Sequence, residues 1–360
     1  MMITPTSTLF DPIHLRGVSV PNRMWVSPMC QYSSVGGFPT DWHLVHLGSL
    51  ARGGAGLVMS EATAVTENGR ISPQDAGIWT DAQAESYRRI TEFVTGQGAV
   101  PGIQLAHAGR KASTYAPGRG RGSVPAERGG WPTVGPSAVA FGDFALPAAL
   151  SVPEINRIVT AFAAAAVRAV EVGFRIIELH AAHGYLLHEF LSPLSNHRTD
   201  HYGGRTAPRF LLEVVDAVRR SIPDSSPLLV RLSATDWVSG GLDVTQTAEL
   251  GRVLAGHGVD LIDVSSGGSS TDQQIVAEPG YQVPLARVIR HVSGLPVSAV
   301  GLITEPAQAQ AYLAEGSADA IMLARAVLRE PNWPRRAAEE LGGAIRVPAP
   351  NRRAYPAATS

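Results

Sequence analysis

Eight short apolar runs, each followed by a helix-like stretch, predict an α/β chain folded as a (β/α)₈ barrel of the TIM type. Two further observations support this over a doubly wound open sheet. The glycine cluster Gly53-Gly54-Ala55-Gly56 precedes an apolar run instead of following one, so no dinucleotide fingerprint is present. Polar residues also gather just past the ends of the runs, where a parallel barrel carries its chemistry.

The runs are Met24–Ser27, Gly56–Ser60, Val100–Leu105, Arg175–Leu179, Leu228–Leu232, Asp260–Val264, Leu295–Val300 and Ala320–Leu323. Ahead of them, Phe10–Met24 alternates between the turn signals Asp11-Pro12 and Pro21-Asn22, and predicts a hairpin closing the bottom of the barrel. Ser151-Val-Pro-Glu154 is a capping box opening a helix to about Glu171. Asp81 precedes a helix whose apolar face carries Ile90, Phe93 and Val94. Thr304-Glu305-Pro306 opens another that ends near Gly316. Residues 1–360 read as a single barrel domain. Within it, 113–150, rich in Gly, Pro and Arg, is a capping loop after the third strand, and 346–360 is a basic, Pro-rich C-terminal tail that contacts a neighbouring subunit.

Composition narrows the function. The net charge of −1 gives no electrostatic case for nucleic acid. No apolar run is long enough to span a bilayer and no signal-peptide pattern is present, so a cytoplasmic protein is expected. Cys30 is the sole cysteine, which excludes an intrachain disulfide and a multi-cysteine metal cluster. Lys111 is the sole lysine, against twenty-nine arginines.

The densest chemistry follows the fourth run, in His180-Ala-Ala-His183-Gly184-Tyr185. Gly184 lets the chain turn sharply there. A metal site on His180, His183 and His188 is one alternative, but no further acidic or histidine ligand stands at a fitting spacing. The other strand ends contribute Ser27 to Tyr32, Glu61-Ala62, Gln104 to Lys111, Arg231 to Ser233, Ser265 to Gly268, Gly301 and Ala324-Arg325. The small-residue and arginine pair on strands seven and eight is a phosphate-binding pattern in barrels.

Ser27-Pro28-Met29-Cys30, Gly102-Ile-Gln104-Leu-Ala-His107-Ala-Gly-Arg-Lys111 and the segment from His180 to Asp200 together resemble the old yellow enzyme family, over about residues 9 to 340. Cys30 after Ser-Pro-Met, with Tyr32 two residues on, resembles its thermophile-type branch. The resemblance implies non-covalent FMN, NADPH or NADH as reductant, and ping-pong reduction of the activated carbon–carbon double bond of small enones or enals. It places Ser27, Pro28, Met29, Cys30, Ala62, Gln104, His180, Arg231, Gly301, Ala324 and Arg325 at the flavin. It gives His180 and His183 the substrate carbonyl oxygen, Tyr185 the proton, Tyr32 the pocket wall, and Arg352 or Arg353 a place in a neighbour's site within a homodimer or tetramer.

The chain departs from the family pattern in Ala324-Arg325 where Gly-Arg is usual, in the shorter Arg205-Thr-Ala-Pro-Arg209, and in the tail Pro350 to Tyr355, which matches loosely. Two rival readings share the barrel. One is a Schiff-base lyase using Lys111. The other is a flavin barrel catalysing a different oxidation, such as that of a hydroxy acid, or reducing tRNA.

Overall fold

The computed structural model describes residues 8–204 and 208–354. The chain enters through an antiparallel hairpin, β1 (Ile13–Leu15) and β2 (Val18–Val20). It then builds β3 (Met24–Val26), α1 (Asp41–Arg52), β4 (Leu57–Ala64), α2 (Asp81–Gly96) and β5 (Val100–Ala106). Two short paired strands, β6 (Val134–Gly135) and β7 (Ala148–Ala149), lie within the long connection to α3 (Val152–Glu171). There follow β8 (Ile176–Ala181), α4 (Leu186–Leu191), α5 (Arg209–Ser221), β9 (Leu228–Ser233), α6 (Val244–Gly256) and β10 (Leu261–Ser265). The chain closes with α7 (Val283–Ser293), β11 (Val297–Ala299), α8 (Pro306–Ala314), β12 (Ala320–Leu323), α9 (Arg325–Arg329) and α10 (Trp333–Leu341).

The eight strands β3, β4, β5, β8, β9, β10, β11 and β12 form a closed parallel barrel in that order, as the eight apolar runs predict. Seven of them are buried at every position, and β5 at all but its first residue. This explains why the runs read as continuous rather than alternating. The hairpin plugs one end. Ile13, Leu15, Val18 and Val20 pack on Trp25, Leu57, Met59, Ile176, Leu229, Leu261, Ala320 and Met322, a layer that seals the bottom and leaves the opposite mouth for chemistry.

Local signals act where expected, with small corrections. The Glu154 carboxylate accepts from the Ser151 backbone N–H at 2.8 Å, and α3 runs to Glu171. Asp81 lies inside α2. The cap is Thr80, whose side chain accepts from the Gln83 N–H while Gln83 accepts from the Thr80 N–H. Ile90 and Val94 are buried, but Phe93 is partly exposed and packs against Gly48 of α1. The second run extends to Ala64 through a bulge. Ser60 pairs with Ile103 and Ala62 with Gln104, which leaves Glu61 out of register. The helix after the shortened Arg205–Arg209 segment begins at Arg209, and residues 205–207 lie outside the described residues. No helix among the described residues is long and apolar enough to cross a membrane.

Candidate active site

At the open mouth the strand ends converge. Inside the barrel Gln104 stands opposite Glu178, and Arg231 stands between His180 on one side and Asp263 on the other. Gln104 Nε2 donates to Glu178 Oε1 at 2.7 Å. Arg231 Nε lies 3.1 Å from Asp263 Oδ2, and its Nη1 donates to Ser27 Oγ at 3.1 Å. Ser298 Oγ donates to the other Asp263 oxygen at 2.8 Å. Glu178 and Asp263 are wholly buried behind the polar ends they orient. Burial, with the like charge of Asp263, pushes the Glu178 carboxyl well above the ordinary carboxylate range against the pull of Arg231.

Above this layer sits the His180–Tyr185 turn. The two imidazole rings stand edge to face, 5.1 Å between centroids, and Tyr185 meets His180 at 4.9 Å. His180 Nε2 and His183 Nδ1 face one another at 3.4 Å. His180 Nδ1 accepts from the Ala182 N–H at 3.3 Å, so its proton is on Nε2, facing His183 Nδ1. On the far side of the second ring, His183 Nε2 lies 2.6 Å from Ser265 Oγ, whose hydroxyl also reaches Gln282 Oε1 at 3.4 Å. The two imidazoles thus form one hydrogen-bonded pair at the mouth. Burial, reinforced by Arg231, pulls both histidines well below their usual range, so they act as neutral donors. His188 serves this turn rather than a metal. Its Nδ1 accepts from the Gly184 N–H at 2.8 Å and its Nε2 faces Asp236 at 3.1 Å.

Pro28, Met29, Cys30 and Tyr32 follow β3 at the same mouth, all half-buried. Tyr32 and His183 are both left-handed, at φ 51° and 59°, strained conformations of the kind that collect at functional sites. Burial drives the Cys30 thiol and the Tyr185 hydroxyl well up, and Cys30 and Tyr32 are near enough to add to the rise at Tyr185. Cys30 is therefore a thiol, not a thiolate. The bulged Glu61 anchors this segment from below. It accepts from the Gln31 N–H at 3.0 Å and lies 3.0 Å from His43 Nε2. Ala62, the next residue, is buried beside it.

On the far side, Arg231, Ser265, Gln282, Gly301, Arg325 and Arg329 line a cavity of about 250 Å³. Three guanidinium groups and no carboxylate border it, which suits a phosphate dianion. Arg325 is exposed and has no ion-pair partner among the described residues. A Cβ at Gly301 would approach Gln282 Nε2 to 3.1 Å, so a close backbone approach is used here. Ala324 has a negative φ of −116°, so the position does not need the left-handed backbone that favours glycine. An amide and a guanidinium inside the barrel, beside a small cavity bordered by arginines and the Gly301 backbone, are a donor set whose chemistry suits a flavin mononucleotide.

Arg352 and Arg353 stand apart from this cluster. They lie exposed on a 3₁₀ turn, Ala349–Ala354, without an ion-pair partner among the described residues, and Tyr355 to Ser360 lie outside those residues. Reading the sequence alone passed over Glu178, Asp263, His43, Gln282 and Arg329, and gave Ser265 no role. Glu178 and Asp263 each stand two residues before a strand-end polar group, His180 and Ser265, so the period of two placed them on the same inward face.

A closed parallel barrel whose mouth joins an arginine-bordered cavity to a pair of buried imidazoles has the makings of a flavin-dependent oxidoreductase. The chain belongs to the NADH:flavin oxidoreductase / NADH oxidase family, whose profile matches residues 8–343, and so to the old yellow enzymes. It is 46% identical to an NADH:flavin oxidoreductase of Gibberella zeae over 95% of this chain and 88% of the relative. It is 44% identical to an NADPH dehydrogenase of Bacillus subtilis, covering 95% and 97%. Among solved structures it resembles the old yellow enzyme homologue of Zymomonas mobilis, with a TM-score of 0.78, 29% identity and coverage of 94% of each chain. It also matches a 2-naphthoyl-CoA reductase, with a TM-score of 0.84, 25% identity and 92% of this chain, spanning 52% of that longer protein. The protein is thus an FMN-dependent NADH or NADPH oxidoreductase, and the lyase alternative built on Lys111 falls away.

Proposed function

We propose that this oxidoreductase is an ene-reductase, reducing the activated double bond of α,β-unsaturated carbonyl compounds in two alternating half-reactions. The observation that carries the reading is the buried, neutral imidazole pair, with His180 Nε2 and His183 Nδ1 3.4 Å apart at the mouth. Hydride addition beside a carbonyl places negative charge on its oxygen. A substrate oxygen beside the pair would draw an N–H from each ring in place of their mutual bond, and the two neutral donors would stabilise the charge as it develops. FMN, which Gln104, Arg231 and Arg325 would hold, would supply the hydride chemistry. Tyr185, beside His180, delivers its proton to the α-carbon, and Tyr32 walls the pocket. The high affinity of the buried Tyr185 oxygen for its proton keeps it in the acid form until that step.

The same reading assigns non-covalent FMN to Ser27, Pro28, Met29, Cys30, Ala62, Gln104, His180, Arg231, Gly301, Ala324 and Arg325. It also assigns the Cys30-containing, thermophile-type branch, a single barrel domain capped by 113–150, a homo-oligomer sharing its tails, and a cytoplasmic location. Anaerobic incubation of FMN-loaded protein with NADPH and 2-cyclohexenone tests the activity. Stoichiometric cyclohexanone is expected, and oxidation of NADPH by oxygen but never by enone would refute the proposal.

A further inference from the structure

Lys111, the sole lysine, has no part in the steps above. It ends a short 3₁₀ turn, Gly109–Lys111, beyond β5. Its Nζ donates to the carbonyl oxygens of His183 at 2.8 Å and Gly268 at 2.9 Å. The same ammonium lies 4.3 Å from the ring centroid of Phe141 in the capping loop and 5.2 Å from that of Tyr185. Among the described residues no carboxylate forms an ion pair with it. Glu189, whose charge acts on it, accepts instead from the Arg110 backbone N–H at 2.8 Å. Holding a cation on neutral acceptors in a half-buried place is costly, and burial pulls Lys111 down to about 8. An apolar side chain would fill the volume without that cost, so the position is explained by what the ammonium holds.

It holds a backbone crossing that has no slack. His183 and Gly184 are consecutive left-handed residues, at φ 59° and 70°. A Cβ at Gly184 would lie 2.2 Å from the Gly268 carbonyl oxygen, and one at Gly268 would lie 2.5 Å from His183 Cα. Two carbonyls are thereby turned toward one place, and Lys111 bridges them. The His183 ring is anchored separately, through Ser265 and through the bond from its backbone N–H to Ser233 Oγ at 2.9 Å. Lys111 therefore governs the carbonyl side of His183, the peptide that leads to Tyr185.

We propose that Lys111 is a positioning residue for Tyr185. By bridging the His183 and Gly268 carbonyls and lying against the phenol ring, it sets the hydroxyl at the point of proton delivery and links that point to Phe141 of the capping loop. This rests on Tyr185 being the proton donor of the ene-reductase.

The test uses FMN-loaded protein carrying Lys111→Met, Lys111→Gln, Tyr185→Phe, or Lys111→Met with Tyr185→Phe. Rapid mixing follows flavin reduction by NADPH and reoxidation by enone separately. Lys111→Met is expected to leave reduction within threefold and to slow reoxidation at least tenfold. Lys111→Gln, which keeps an amide donor, is expected to slow reoxidation less, though still at least threefold, and it carries the comparison if the Met variant loses FMN. In the Tyr185→Phe background Lys111→Met should add less than a further threefold, because it acts through that hydroxyl. Hydrogen exchange gives a readout apart from turnover: the peptide spanning residues 182–187 should exchange faster in Lys111→Met while that spanning 100–106 is unchanged. Equal slowing of both half-reactions, unchanged reoxidation, or a full tenfold effect on top of Tyr185→Phe overturns the proposal. If Tyr185→Phe slows enone reduction and the lysine variants do not, only this proposal falls. If Tyr185→Phe itself changes nothing, the proton-donor reading falls with it.

Discussion

His183 Nε2 sits 2.6 Å from Ser265 Oγ, and this contact holds the far side of the ring. Ser265 ends β10, on the strand beyond Arg231, so the orientation of a β8-loop histidine is set from two strands away. Ser265→Ala should free the His183 ring to turn away from His180 and so weaken one of the two contacts to a substrate oxygen. Phenolic ligands that mimic an enolate should then bind the FMN-loaded protein about tenfold more weakly, the equivalent of ~1.4 kcal/mol for one hydrogen bond to a charged group. The absorbance band of the phenol complex measures this. Unchanged phenol affinity would show that Ser265 does not orient the ring.

Glu178 gives a pH signature. Its folded value is raised above the ordinary 4.5, so as pH climbs past 4.5 the folded chain holds a proton that the unfolded chain releases. Folding stability accordingly falls as pH rises through that window. Glu178→Gln keeps an acceptor for Gln104 and has no proton to lose. Its Tm relative to the parent, measured without added FMN, should climb from pH 5 to pH 8. A difference that stays flat across that range would mean the carboxyl is already ionised in the fold.

Arg325 should contribute to FMN through the phosphate alone. Arg325→Ala is expected to raise the FMN dissociation constant 10- to 100-fold, about 1.5–3 kcal/mol for a hydrogen bond between charged groups. Riboflavin, which lacks the phosphate, should bind parent and variant alike. Fluorescence titration with both flavins separates the outcomes, and an equal loss for riboflavin would place Arg325 elsewhere in the site.

The exposed tail arginines, without ion-pair partners in their own chain among the described residues, are expected to act in a neighbouring subunit. Truncation after Pro348 should weaken enone binding while leaving FMN content unchanged. Sedimentation of the parent should show an oligomer. A monomeric parent, or a truncated protein with parental enone affinity, would remove the tail from the site.

Much of this architecture was legible because barrel strands are buried on both faces and announce themselves as apolar runs, and because Thr, Ser and Pro mark helix starts. Asp81, expected to precede its helix and found inside it, shows the limit: Thr and Asp both suit a helix start, and only the observed bonds choose Thr80 as the cap. The support beneath the site was harder to see. Glu178 and Asp263 stand inside apolar runs, and what they do depends on facing Gln104 and Arg231 across strands, a matter of register that a single run does not carry. Glu61 is similar: its role follows from a bulge that turns it toward His43 and Gln31. The His180–Tyr185 group was legible as chemistry, but the hold on the His183 ring comes from Ser265, far away in sequence.

The central claim divides the work at the β8 turn: the histidines act on oxygen and Tyr185 acts on carbon. The most direct measurement is rapid-mixing kinetics of Tyr185→Phe and His180→Ala on each half-reaction. Tyr185→Phe should leave flavin reduction by NADPH nearly unchanged and slow reoxidation by enone at least tenfold. His180→Ala should cost roughly 3 kcal/mol in the enone step, as loss of one oxyanion donor does. If Tyr185→Phe slows both half-reactions equally, the hydroxyl only shapes the pocket and the division of roles is wrong.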